Sequence, residues 1–157
     1  MPEIELLTAL RQKRLTIAVA ESCTGGRICD KLTNVPGSSD VFLGGVVSYS
    51  NGSKVKLLDV SLKVLGTHGA VSSVCAAEMA AGARKAFNSD MGISVTGIAG
   101  PGGATKEKPV GLVFIGVSYQ KKGEVLKIII EGDREDVKEK ASNEAIGAAL
   151  RSLSQFG

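Results

Sequence analysis

The sequence predicts an α/β fold with a mixed, mostly parallel sheet of five strands and helices on both faces. Over the first hundred residues, short apolar segments alternate with amphipathic segments, which is typical of parallel strands joined by helices. Two long apolar segments then flank residues 120–123, which predicts a hairpin and therefore one antiparallel strand. The predicted order is α-β-α-β-α-α-β-β-β-α, in a single domain over residues 1–157.

Element boundaries are predicted from periodicity and capping residues. The first helix, residues 3–13, carries Ile4, Leu7 and Leu10 at helical spacing. Ser72 and Asp133 are the expected N-caps of the two long helices. Further helical segments are predicted at about 27–33, 53–58 and 61–65, and strands at about 15–20, 45–50, 93–96, 110–119 and 124–131. Residues 41–43 fit either a short extended segment or a helical turn.

Composition narrows the classes of function. Hydrophobic residues make up 43% and charged residues 22%, and no apolar run has membrane-spanning length, so a soluble globular protein is expected. The first residues lack a signal-peptide pattern, so we expect a cytoplasmic location. The net charge of +3 comes from scattered residues, which does not predict a nucleic-acid surface. One histidine and three cysteines without Cys-x-x-Cys spacing do not predict a zinc site.

Three polar or glycine-rich segments each follow a predicted strand. They are the Ala20–Gly26 turn, the Tyr49–Lys54 segment and the Gly97–Gly103 loop. In mostly parallel sheets, ligands bind beyond the carboxyl ends of the strands. We therefore expect these segments to converge on one site.

The Ala20–Gly26 turn lies between a predicted strand and a predicted helix. Its hydroxyl groups would lie beside free N–H groups at the positive end of the helix, which suits an anion or a developing oxyanion. Alternatively, Ser22 or Thr24 caps the helix and the glycines allow close packing. Ser22, Cys23 and Thr24 are the candidate nucleophiles, and Cys23 is expected to be a small core residue that points away from Ser22.

A nucleophilic serine needs a base. His68 is the only imidazole, and its loop position without a neighbouring acid favours a structural role. Lys54 lies in the first turn of a predicted helix, where desolvation and the helix dipole both lower a lysine pKa. With Tyr49 and Asn51 just before it, Lys54 can be interpreted either as a site residue or as a solvated lysine.

Two further features could bind a phosphate. The Gly97–Gly103 loop is followed by Thr105, Lys106 and Lys108, although it lacks the ending of a Walker motif. Arg134 follows the last predicted strand, where a salt bridge at the helix start would explain it almost as well.

Taken together, several stretches resemble the CinA carboxy-terminal domain family. They are Ala20–Gly26, Tyr49–Asn51 with Lys54, His68–Ser72, Gly97–Pro101 with Lys108–Gly111, and Gly132–Arg134. The resemblance spans about residues 3–155, in the family's order. It implies a three-layer α/β/α fold and usually a dimer. The sequence differs from the family where Gly102-Gly103-Ala104 follows Pro101, and where Lys138 replaces a common arginine.

The family includes stand-alone nicotinamide mononucleotide deamidases, so the resemblance implies an amidohydrolase of pyridine nucleotide recycling that releases nicotinate mononucleotide and ammonia. It implies a Ser22/Lys54 dyad assisted by Tyr49. Backbone N–H groups of Cys23 and Thr24 are expected to hold the oxyanion, and no metal or other cofactor is expected. The expected substrate-binding residues are Gly25, Asn51, Gly97, Gly100, Thr105, Lys108 and Arg134.

Two alternatives remain open at this stage. The same edge of the sheet could hold a nucleotide without chemistry, as a regulatory or competence-related module. The same dyad could also hydrolyse a different amide, because the shape of the pocket sets specificity. Release of ammonia from nicotinamide mononucleotide separates these possibilities.

Overall fold

The computed structural model describes residues 1–156, which form an α/β fold around a five-stranded sheet. The elements are α1 (Pro2–Lys13), β1 (Ile17–Glu21), α2 (Arg27–Thr33), β2 (Phe42–Val47), α3 (Asn51–Leu58), α4 (Leu62–His68), α5 (Ser73–Phe87), β3 (Met91–Gly97), β4 (Leu112–Tyr119), β5 (Lys122–Ile129) and α6 (Arg134–Phe156). The order of the strands in the sheet is β2-β1-β3-β4-β5, and a 3-10 turn over Ser38–Asp40 precedes β2.

The direction of the strands agrees with the predicted mixed sheet. Strand β1 pairs in parallel with β2 on one side and with β3 on the other. Strand β4 is antiparallel to both β3 and β5, so it runs against the other four strands. The prediction of a mostly parallel sheet with one antiparallel strand is confirmed.

Helices cover both faces of the sheet and complete the three layers. Helices α1, α2 and α6 pack together on one face, over a core that includes Leu7, Ile28 and Ile146. On the other face α5 lies against the sheet, with α3 and α4 packed beside it. No helix of the described chain is both long enough and apolar enough to cross a membrane.

Helix α5 lies directly against the sheet because small residues face each other. An added Cβ at Gly92 would collide with the Ala80 carbonyl oxygen, and one at Gly116 would collide with that of Ala76. Larger side chains at these positions would push the helix outward. The alanine-rich face of α5 therefore lies over glycines of β3 and β4.

Several boundaries differ from the sequence-based prediction. Strand β2 begins at Phe42 and ends at Val47, because its register is set by pairing with β1. Of residues 41–43, Phe42 and Leu43 are therefore extended, whereas Val41 closes the 3-10 turn. Tyr119 pairs directly with Lys122, so the hairpin turn has two residues rather than four. His68 ends α4 instead of lying in a loop. Ile4 is 48% exposed and lies off the buried face of α1.

Candidate active site

A cleft of about 340 Å³ opens where β1, β2 and β3 end, as the order of the elements predicts. This volume lies within the usual range for small-molecule sites, roughly 300–1,000 Å³. Most of the lining residues come from the three predicted segments and from the start of α6: Ser22, Cys23, Tyr49, Asn51, Lys54, Gly97, Ile98, Ala99, Gly100, Gly102, Gly103 and Arg134. Thr96 of β3 and Ala70 and Val71, between α4 and α5, complete the lining. Lys54 and Arg134 are basic, and none of these lining residues is acidic.

Ser22 and Lys54 form a buried hydrogen bond in this cleft. The Lys54 Nζ lies 2.9 Å from the Ser22 Oγ. The two residues are brought together because Ser22 follows β1 and Lys54 lies in the first turns of α3, after the adjacent strand β2. Ser50 fixes the start of α3, since its side chain accepts a hydrogen bond from the Ser53 N–H.

Lys54 is almost fully enclosed, with 1% of its surface exposed. Burial lowers the pKa of its ammonium group below the ordinary lysine value, because a charged form loses its hydration. None of the ion pairs in the described chain includes a carboxylate partner for Lys54. At neutral pH, a larger fraction of Lys54 is consequently in the neutral amine form than for a lysine on the protein surface.

Two backbone carbonyls orient the Lys54 amine. The Ser48 oxygen lies 2.6 Å from Nζ and the Tyr49 oxygen lies 3.4 Å from it. A carbonyl oxygen can only accept, so these two oxygens match the two N–H bonds of a neutral amine. The lone pair then faces the third neighbour, the Ser22 hydroxyl. This arrangement suits transfer of the serine proton to lysine.

Cys23 is a poor competitor for the role of nucleophile. Its side chain is 7% exposed and packs in the core, and burial raises the pKa of its thiol to about 11. A thiol is reactive as the thiolate, which is scarce at neutral pH when the pKa is raised. The expectation of a small core residue is confirmed, although Cys23 also contributes to the wall of the cleft.

The N-terminal end of α2 is occupied by Glu21, which corrects the expectation of free N–H groups along this helix start. The Glu21 carboxylate accepts hydrogen bonds from the backbone N–H groups of Gly26, Ile28 and Cys29. It also accepts a 2.6 Å hydrogen bond from the Thr24 hydroxyl. Thr24 therefore binds Glu21 rather than capping α2 directly, and its side chain is not free to act as a nucleophile.

Backbone donors nevertheless remain in the turn after Ser22. In the described chain, neither the Cys23 N–H nor the Thr24 N–H donates a hydrogen bond to another residue. These two groups follow the serine directly. They are the groups expected from the sequence to hold an oxyanion.

Arg134 and Tyr49 both line the cleft and contact each other. The Arg134 guanidinium donates to the Gly100 carbonyl oxygen at 2.8 Å and to the Tyr49 hydroxyl at 3.2 Å. Arg134 is the first residue of α6, and Asp133 and Asp136 cap that helix reciprocally. The cap predicted at Asp133 is thus present, and it fixes the position from which Arg134 reaches the cleft.

The remaining predicted ligands divide into two groups. Asn51, Gly97 and Gly100 line the cleft, whereas Gly25, Thr105 and Lys108 are not among its lining residues. A Cβ added at Gly25 would lie 3.7 Å from the Lys138 Nζ, so this turn faces α6.

Lys108 and His68 meet outside the cleft. The Lys108 ammonium donates to the His68 carbonyl oxygen at 2.6 Å, and the Lys108 N–H donates to the Thr105 hydroxyl. These contacts hold the segment that follows the glycine-rich loop against the end of α4. His68 itself is exposed and does not line the cleft, so it is not placed to serve as the base of Ser22.

Two residues of the site were not selected from the sequence. Glu21 was the only charged residue in a strand that is otherwise apolar, and that anomaly could have identified it. Ser48 carried no such signal, because its contacts with Glu21 and Lys54 depend on the pairing of β1 with β2. Over the described residues, no group of three or more His, Cys, Asp or Glu side chains is arranged to hold a metal ion.

The protein-family model and the relatives that match this chain agree on one family. The model of the CinA C-terminal domain matches residues 2–153. A competence-damage inducible protein of Moorella thermoacetica is 51% identical over 92% of this chain and 35% of the relative. A CinA-like protein of Fusobacterium nucleatum is 48% identical over 93% of this chain, again 35% of the relative. The chain thus spans about a third of the length of these curated relatives.

Solved structures agree over nearly the whole chain. The competence damage-inducible protein A of Klebsiella pneumoniae superposes with a TM-score of 0.96 at 31% identity, covering 99% of this chain and 97% of that one. A competence/damage inducible protein of Agrobacterium tumefaciens has a TM-score of 0.90 at 37% identity, covering 98% and 94%. The extent of the match confirms the family expected from the sequence motifs: the chain belongs to the CinA C-terminal domain family.

Proposed function

We propose that this protein is an amidohydrolase that uses Ser22 as the nucleophile and Lys54 as its base. The observation that supports this most strongly is the 2.9 Å hydrogen bond between Lys54 Nζ and Ser22 Oγ in a buried cleft. The burial that lowers the lysine pKa is unfavourable for a merely structural lysine, yet it suits a base at neutral pH.

The reaction begins with transfer of the Ser22 proton to the Lys54 amine. The Ser22 Oγ then attacks the carboxamide carbon, and the N–H groups of Cys23 and Thr24 stabilise the oxyanion. Each such donor is typically worth about 3 kcal/mol. As the tetrahedral intermediate collapses, the C–N bond breaks and the Lys54 ammonium, directly or through the Tyr49 hydroxyl, supplies its proton to the leaving nitrogen, which departs as ammonia and leaves Lys54 neutral. Water then cleaves the ester on Ser22, with Lys54 again as base.

The substrate we propose is nicotinamide mononucleotide, which the reaction converts to nicotinate mononucleotide. Arg134 brings a positive charge to the lining, and none of the lining residues is acidic, which favours an anionic ligand. Arg134 lies at the rim and can donate to a phosphate group. The positive pyridinium of the substrate withdraws electrons from the carboxamide and makes its carbon easier to attack.

A direct test measures ammonia release from nicotinamide mononucleotide by the purified chain, with nicotinamide riboside as a matched substrate that lacks the phosphate. We expect turnover of the mononucleotide and a lower kcat/KM for the riboside. Calorimetry with the mononucleotide is run in parallel. Tight binding without ammonia release would contradict the proposal and favour a non-catalytic nucleotide module. Release of ammonia only from other amides would retain the dyad but refute the substrate.

A further inference from the structure

Glu21 is a buried carboxylate that the proposed reaction does not use. It ends β1, directly before Ser22, and none of its surface is exposed. None of the ion pairs among the described residues includes Glu21. Burying a carboxylate without a cation is strongly unfavourable unless hydrogen bonds replace its hydration. A residue this costly to bury needs an explanation.

Four hydrogen-bond donors from the eight residues after Glu21 take the place of water around its carboxylate. Oε1 accepts from the Thr24 hydroxyl at 2.6 Å and from the Gly26 and Ile28 N–H groups, both at 3.1 Å. Oε2 accepts from the Cys29 N–H at 2.9 Å. The turn after Ser22 therefore closes around the Glu21 side chain, and the start of α2 supplies three of the four donors.

The backbone of Glu21 is fixed as firmly as its side chain. Its carbonyl oxygen accepts from the Ser48 N–H at 2.7 Å and from the Ser48 hydroxyl at 3.0 Å. The carbonyl of Ser48 in turn accepts from Lys54. The Glu21 side chain thus forms hydrogen bonds with the turn that carries Ser22, and the Glu21 carbonyl forms hydrogen bonds with the segment that orients Lys54.

We propose that Glu21 is a positioning residue for the dyad, an inference that rests on the proposed function only in requiring Ser22 to be the nucleophile. Its carboxylate holds the turn in a shape that directs the Ser22 hydroxyl toward Lys54 and leaves the Cys23 and Thr24 N–H groups unpaired. Because the carboxylate also fills the start of α2, the phosphate of a substrate must bind elsewhere in the cleft.

The test is Glu21→Gln, which keeps the size of the side chain and removes its charge. A glutamine has one acceptor oxygen. If that oxygen takes the place of Oε1, the NH₂ group takes the place of Oε2 and faces the Cys29 N–H, so that two donors meet without an acceptor. We expect kcat for nicotinamide mononucleotide to fall by about 10²-fold, the loss that a misplacement of about 1 Å commonly causes. KM should change little, because Glu21 does not line the cleft.

A second readout does not depend on the substrate. The rate at which phenylmethylsulfonyl fluoride labels Ser22, followed by intact mass, should fall in parallel with kcat. Ser94→Ala is the control, because it removes a fully buried polar group from the neighbouring strand, a hydroxyl that donates to the Ala76 carbonyl oxygen. It should lower the melting temperature and leave kcat and labelling per folded molecule unchanged. If Glu21→Gln does not fold, Thr24→Val, which removes one donor, should lower both rates by a smaller factor.

The inference is overturned if a folded Glu21→Gln protein retains both rates within about threefold of the wild type, or if Ser94→Ala loses as much. Wild-type protein that is labelled at Ser22 in a Glu21-dependent way, yet releases no ammonia, would refute the proposed function and support the inference. If the protein releases ammonia from nicotinamide mononucleotide and Glu21→Gln does not change that rate, the proposed function is supported and the inference about Glu21 is refuted.

Discussion

Replacing Lys54 with arginine tests whether Lys54 acts as a base or only as a positively charged contact. The Lys54 Nζ contacts the Ser22 Oγ at 2.9 Å and the Ser48 carbonyl oxygen at 2.6 Å, so its position is closely defined. Arginine has approximately the same length but carries a permanent positive charge, because it is not deprotonated in proteins. The serine proton then has no acceptor. General bases contribute about 10²–10⁴-fold, and we expect a loss near 10³-fold, equivalent to about 4 kcal/mol in the activation barrier.

The assay is kcat for ammonia release, with folding checked by circular dichroism. Lys56→Arg is the matched control, because it makes the same substitution on the same helix at an exposed position. It should keep wild-type activity. If Lys54→Arg retains a tenth or more of the wild-type kcat, Lys54 is a charged contact and the proton must go elsewhere, for example to Tyr49.

Two further predictions concern stability and substrate binding. Lys54→Met should be as stable as the wild type or more so near neutral pH, because an apolar side chain does not lose the hydration that the lysine amine loses on burial. Because burial lowers the folded-state pKa of Lys54, the unfolded chain binds more protons between that pKa and the unfolded value of about 10.4, so wild-type stability rises with pH there. The advantage of the methionine variant in urea unfolding should therefore shrink as the pH approaches 10.4, and a constant difference would contradict the pKa argument. Arg134→Gln should raise KM for nicotinamide mononucleotide by about 10–100-fold, the value of one charge-assisted hydrogen bond, with little change for the riboside. An equal effect on both substrates would show that Arg134 does not bind the phosphate.

Features with a local cause could be predicted from the sequence. Apolar periodicity identified the strands, and Ser72 and Asp133 marked helix starts because capping depends on residues three positions apart. The convergence of Ser22 and Lys54 followed from the rule that parallel strands end at one edge.

Features that depend on distant contacts could not be predicted in this way. The exact extent of β2 is set by its register with β1, about 25 residues earlier in the chain. The glycine-rich loop looked like a phosphate loop because of Lys108, but that lysine binds the His68 carbonyl, 40 residues away. The role of Glu21 was hidden because its donors become visible only when the turn is folded.

The central claim is that Ser22 forms the bond to the substrate, and one comparison tests it most directly. The kcat for ammonia release from nicotinamide mononucleotide is measured for Ser22→Ala and for Cys23→Ala, which lie side by side in the turn and both line the cleft. We expect Ser22→Ala to be folded and inactive, and Cys23→Ala to keep most of the wild-type rate, because the thiol pKa of about 11 leaves little thiolate at neutral pH. An active Ser22→Ala protein together with an inactive Cys23→Ala protein would contradict the account.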